Sequence, residues 1–176
     1  MEKIIIGVLL ATALAPAYSA DEVFYVGANL GQARASGTLS GGASSATDTS
    51  FSVLGGYQIN KIWAAELQYV DLGRIAYSGS TTTATSTALA LSALGMWPID
   101  NNFSVFGKAG LAYSTTTSGR PQDTNRIGIA IGFGGQYNMS NVLGIRAGYD
   151  RYEVGKSSDG NDGNYGVISA GLVYKF

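Results

Sequence analysis

The sequence predicts an all-β chain in which eight antiparallel strands close in up-and-down order into a transmembrane barrel. Three observations carry that reading. The first is a period of two across residues 51–74. Phe51, Val53, Gly55, Tyr57 and Ile59 fall on one face, and Ser52, Leu54, Gly56 and Gln58 on the other. After a reversal at Asn60-Lys61, Trp63, Ala65, Leu67 and Tyr69 oppose Ala64, Glu66 and Gln68. Alternation of this kind belongs to strands rather than helices. The second is that connections between such segments alternate long and short along the chain. The third is that Glu66, Lys108 and Arg146 lie mid-strand on the face opposite the large apolar residues. A soluble barrel turns its large apolar groups inward, and three charges converging in a dry core are costly unless paired. A membrane barrel does the reverse, with apolar residues toward lipid and polar ones toward the interior.

Composition agrees. Of the 176 residues only 13% are charged, 25 are glycine and the net charge is −1, so bulk electrostatics call for no nucleic-acid partner. Past the N-terminus no run reaches the roughly 18 consecutive apolar residues of a membrane helix. Cysteine and histidine are both absent. That excludes disulfide frameworks, thiol catalysis, Ser-His-Asp chemistry and Cys- or His-ligated metals, and no cofactor is expected.

Residues 1–20 have Lys3 near the start, an apolar run from Ile4 to Ala15, then Pro16 and Ala17-Tyr18-Ser19-Ala20. This is the layout of a cleaved secretory signal peptide, with the cut after Ser19 or after Ala20. The barrel domain is expected over 21–176. The first strand is 23–32, with Phe24, Val26, Ala28 and Leu30 opposing Tyr25, Gly27, Asn29 and Gly31; residues 34–50, rich in Gly, Ser, Ala and Thr, read as a loop. The hairpin at 51–74 supplies strands two and three, and 75–85 is a second long loop. Strand four, 86–97, meets a turn at 98–102 where Pro98 breaks the ladder. Strand five is 103–113, with Phe103, Val105, Ala109, Leu111 and Tyr113 on one face; 114–125 is a third polar loop. Strand six, 126–137, alternates most cleanly: Ile127, Ile129, Ile131, Phe133 and Tyr137 against Gly128, Ala130, Gly132, Gly134 and Gln136. A short turn at 138–141 leads to strand seven, 142–152; 153–164 is the fourth long loop, and 165–176 closes as strand eight. Four long loops thus lie at one end and three tight turns at the other, as in outer-membrane barrels. Aromatics near strand ends (Tyr57, Trp63, Tyr69, Trp97, Tyr113, Tyr137, Tyr149, Tyr174) form the expected interfacial girdles. The opposite face carries Gly, Ala, Ser and Gln, including the polar residues Asn29, Gln58 and Gln136, which suits a narrow interior that side chains must fill. At residues 159–163 an Asp-Gly-Asn-Asp-Gly run hints at a calcium loop but lacks the bidentate Glu, and it reads as a loop tip.

On these residues the chain resembles the transmembrane domain of the OmpA family. The resemblance is carried by Phe24-Tyr25-Val26-Gly27-Ala28-Asn29-Leu30-Gly31 and by Gly55-Gly56-Tyr57-Gln58-Ile59-Asn60 followed by Glu66, Tyr69 and Leu72-Gly73-Arg74. Trp97-Pro98-Ile99, and Tyr137 with Arg146 beyond it, add to it. It spans the mature chain and is densest at these points. It implies an interior cluster of opposite charges, here Glu66, Lys108 and Arg146. Asn29 stands where the family implies a Lys and Gln136 where it implies a second Glu, so the ion-pair ladder is thinner here. Tyr174 and Phe176, with Lys175 between, resemble the C-terminal signal by which such barrels are recognised for insertion. The chain stops without the soluble cell-wall domain of the longer members, in the layout of the barrel-only ones.

The expected partners are outer-membrane lipid and lipopolysaccharide, the barrel-assembly machinery through the C-terminal strand, and extracellular ligands at the long loops. Two functions remain open at this point. One is a structural and surface-interaction barrel acting through its loops. The other is a narrow channel, with inward Glu66 and Asp150 against Lys108, Arg126, Arg146 and Lys175 giving a slight preference for anions. Eight strands leave little room once side chains are placed, which weighs toward the first. An enzyme using rim carboxylates (Asp71, Asp150, Glu153) is a third possibility, and rim acids are far more often merely solvated. No enzymatic activity is expected.

Overall fold

The computed structural model describes residues 23–39, 42–76, 83–118, 124–154 and 163–176. The expected signal peptide and the Asp-Gly-rich stretch, up to residue 162, lie outside the described residues. Eight antiparallel strands form one closed barrel in sequence order. They are β1 (Val23–Leu39), β2 (Gly42–Gln58), β3 (Trp63–Ala76), β4 (Thr83–Pro98), β5 (Phe103–Ser118), β6 (Thr124–Asn138), β7 (Leu143–Val154) and β8 (Gly163–Lys175). β1 pairs with β8 across the seam, where Phe176 N donates to Phe24 O at 2.9 Å.

The three short connections are built alike. In each, a polar side chain early in the turn accepts two backbone N–H groups that the hairpin would otherwise leave bare. Asn60 Oδ1 accepts from Ile62 and Trp63, both at 2.8 Å. Asp100 Oδ1 accepts from Asn102 at 2.8 Å and Phe103 at 2.6 Å. Ser140 Oγ accepts from Val142 at 3.3 Å and Leu143 at 3.0 Å. Pro98 does not break the ladder; it is the last residue of β4, in register with Ser104.

The opposite end differs from expectation. Most of what reads as four long loops is strand. β1 and β2 stay in register out to Leu39 opposite Gly42, and β4 and β5 out to Ala84 opposite Ser118. The expectation failed because runs of Ser, Thr, Gly and Ala carry no apolar period. Above the bilayer neither face of a strand has to be apolar, so pairing continues without that signal. On β3 the ladder shifts between Asp71 and Arg74, where Gly73 takes φ 79° and donates its N–H to Asp71 Oδ1 at 2.9 Å, a bulge that only glycine enters without strain.

The outward face is apolar as expected. Leu30, Leu91, Leu111, Ile127, Phe133 and Ile168 are each more than 60% exposed, and Trp63, Trp97, Tyr137 and Tyr174 ring the turn end. The inward face is less polar than expected. Leu54, Leu94, Met96, Phe106 and Val173 pack with Tyr25 in the half nearer the turns. Val70, Leu72, Val167 and Tyr152 pack with five alanines of four strands in the other half.

Candidate functional site

Two rows of register partners set the geometry of the interior. In the first, Tyr25, Gly56 and Glu66 lie side by side on β1, β2 and β3. Gly56 has no side chain, so the Tyr25 ring lies across it, and its hydroxyl donates to Glu66 Oε2 at 3.1 Å. In the second, Lys108, Gly132 and Asp150 lie side by side on β5, β6 and β7. Lys108 crosses Gly132, where a Cβ would come 3.0 Å from its Cε, and its Nζ reaches Asp150 Oδ1 at 3.0 Å. Each glycine lets a long side chain span a whole strand.

Arg146 ties the first row to its surroundings. Its Nη1 pairs with Glu66 Oε2 at 2.5 Å. Its Nε and Nη2 donate to Gln136 Oε1 at 3.1 and 2.9 Å. The guanidinium lies over the rings of Phe106 at 4.9 Å and Tyr25 at 5.4 Å. A planar fork with aromatic neighbours on its faces is the setting that favours Arg over Lys. Lys108 ties in the second row: its Nζ donates to Gln68 Oε1 at 2.7 Å and stands 3.6 Å from Glu66 Oε1. That Glu66 oxygen accepts no hydrogen bond, so its contact with Lys108 is electrostatic. Gln68 donates to Ser52 Oγ at 3.2 Å, and Asn29 donates to the same oxygen at 3.0 Å. Glu66, Arg146 and Asp150 are all 6% exposed or less. Two acids and two bases therefore neutralise one another out of water, which is what makes burial tolerable. The gap left among Asn29, Gln68, Lys108, Arg146 and Asp150 is about 10 Å³, room for about one water.

The structure brings Glu66, Lys108 and Arg146 together. Gln136 sits against Arg146 and supplies by hydrogen bond what a second Glu would supply by charge. Asn29 joins through Ser52. Gln58 stays out: it is half-buried at the turn end and donates to Asn60 O at 3.2 Å. Tyr174 and Phe176 face outward, their rings edge to face at 5.2 Å. Asp150 is not a rim acid; it is buried against Lys108. Glu153 faces outward and pairs with Arg151 at 3.1 Å, and Asp71 serves the bulge. Sequence reasoning missed Tyr25, Gln68 and Tyr152, whose hydroxyl donates to Gln68 Oε1 at 3.4 Å, as members. The signal was available: each shares the inward parity of its strand, and Gln68 follows Glu66 by one inward step.

A family model described as outer membrane protein beta-barrel domain matches residues 4–176. No curated protein matches the sequence. Among solved structures, Neisserial surface protein A shares 24% identity and a TM-score of 0.72, over 87% of this chain and 97% of that one. Ail, the attachment invasion locus protein of Yersinia pestis, shares 18% and 0.59, over 86% and 98%. The outer membrane protein OprG of Pseudomonas aeruginosa shares 15% and 0.59, over 90% and 97%. At these identities the likeness is one of fold. With the family model covering nearly the whole length, the chain belongs to the outer membrane protein beta-barrel domain family.

Proposed function

We propose that this chain is a closed outer-membrane anchor of OmpA type. It holds surface-exposed segments outside the cell and offers no path through its interior. One observation carries the reading: the charge belt is internally neutral and sits between two apolar packings, with space for about one water at its centre. An ion crossing it would have to break the Glu66–Arg146 and Lys108–Asp150 pairs and pass an apolar layer on the way. The narrow anion-preferring channel is therefore the weaker reading, although Lys108 and Arg146 line this small gap.

Function then resides on the outside. The strand extensions beyond residues 34, 75, 114 and 153 offer the surface on which extracellular ligands would dock. Ail has been solved with a heparin analogue, sucrose octasulfate. For this chain, sulfated glycans are accordingly among the ligands to try. The terminal strand with Tyr174 and Phe176 is the segment offered to the assembly machinery, after removal of residues 1–20. Replacing the four extensions by tight turns tests the division of labour. The shortened chain should still insert as a heat-modifiable barrel and lose any surface binding. Failure to insert would refute the idea that the extensions are dispensable to the anchor.

A further inference from the structure

The outward surface carries one polar site that the anchor role does not use. On β1, β8 and β7 the register row above the apolar band reads Arg34, Gly166, Arg151. The row below reads Gln32, Ile168, Tyr149, and the next reads Leu30, Ala170, Ala147. Gly166 leaves a dent between the two arginines. Tyr149 leans into it, its hydroxyl 2.6 Å from where a Cβ at 166 would stand. Gln32, Arg34, Tyr149, Arg151 and Asn164 line the resulting cavity of about 390 Å³. Arg151 gives its Nε to Glu153 at 3.1 Å, so the site holds two cations against one carboxylate.

Its depth is unusual. Arg151 lies in register with Ile131 of β6, and the next outward residues of that strand, Ile129 and Ile127, are still apolar and more than half exposed. The apolar band thus dips at β7, β8 and β1, and a guanidinium sits beside lipid-facing isoleucines. An arginine on the lipid face is increasingly unfavourable with depth below the interface unless an anion meets it. Below the cavity, and sharing Gln32, Tyr149 and Ile168 with it, runs an open apolar groove floored by Ala147 and Ala170 and walled by Leu30 and Phe133. A charged pocket continuous with an apolar trough matches an amphiphile with an anionic head.

From this we infer that the β7–β8–β1 face binds a single phosphate-bearing lipid of the outer leaflet. Its phosphate lies between Arg34 and Arg151 under the Tyr149 hydroxyl, and an acyl chain follows the Ala147–Ala170 trough. The site opens on the half of the barrel away from the tight turns, which in this family faces the outer leaflet, where the phosphorylated glycolipid is lipopolysaccharide. The inference rests on the outer-membrane location and is independent of whether the interior conducts.

The test is native mass spectrometry of the folded barrel in zwitterionic detergent. It is titrated with diphosphorylated lipid A, with dephosphorylated lipid A and with inorganic phosphate. Lipid A should be retained at one copy per barrel, the dephosphorylated form lost, and inorganic phosphate should neither bind nor compete. Arg34→Gln/Arg151→Gln should weaken retention roughly tenfold or more. Ala170→Trp, which fills the trough without touching the arginines, should weaken it too, and Lys61→Gln at the opposite end should not. Equal retention by the double arginine variant, or equal retention of dephosphorylated lipid, overturns the site. Binding of inorganic phosphate as tight as that of the lipid would make it a free-anion site and overturn the lipid assignment. Heat modifiability of every variant separates loss of binding from loss of folding.

Discussion

Arg146 and Lys108 share one buried belt and are held in different ways. Arg146 is fixed in a plane: Glu66 and Gln136 take its nitrogens, and Tyr25 and Phe106 line its faces. Lys108 is a point charge with three claimants, Gln68, Asp150 and the more distant Glu66, and it borders the small gap beside Asn29. The difference teaches where the interior is rigid. Around Arg146 no partner can be lost without leaving a charge or an amide bare in apolar packing. Around Lys108 the partners overlap, and a water fits.

That contrast ranks the consequences of mutation. Arg146→Met should cost most, about 3–5 kcal/mol in reversible urea unfolding from lipid vesicles, because Glu66 is left buried without its main counter-charge. Arg146→Lys should recover little of this, since an ammonium cannot reproduce the fork to Gln136. Lys108→Met should cost less, roughly 1–3 kcal/mol, with a water taking part of its place beside Asp150. An equal or larger loss than for Arg146 would erase the distinction. Gly132→Ala should cost roughly 1–3 kcal/mol, because a Cβ there would stand 2.9 Å from the Tyr149 backbone oxygen as well as against the ends of Asp150 and Lys108. It should also lower the Lys108–Asp150 coupling in a double-mutant cycle while leaving the Glu66–Arg146 coupling intact. Gln58→Ala should fall within about 0.5 kcal/mol; a larger loss would place Gln58 in the belt after all.

The transmembrane part of the fold was legible because a barrel wall in lipid forces a strict period of two. On β6, Ile127, Ile129, Ile131, Phe133 and Tyr137 show it, with Gly135 the one small residue in the series. The strand extensions were not legible, since Ser, Thr and Gly beyond the bilayer pair equally well with either face in water. Within the site, the acid and bases could be read from parity alone. Their partners could not, because register decides them. That Tyr25 meets Glu66, and Lys108 meets Asp150, depends on which glycine each crosses. Register across β1–β2–β3 and β5–β6–β7 is a tertiary fact that no single strand encodes. Likewise, counting inward charges set Glu66 and Asp150 against four bases, and parity alone could not show that the geometry pairs both acids with Arg146 and Lys108 in a neutral belt, while Lys175 donates to Asn138 Oδ1 at 3.1 Å and Arg126 lies opposite Ser114.

Single-channel recording reads whether the interior is closed. The refolded barrel in planar bilayers should be silent, while its heat modifiability certifies full insertion, and Lys108→Ala/Asp150→Ala should be the variant that begins to conduct. Steady unitary steps from the unmodified chain, of either selectivity, would contradict a sealed belt and make the protein a small pore.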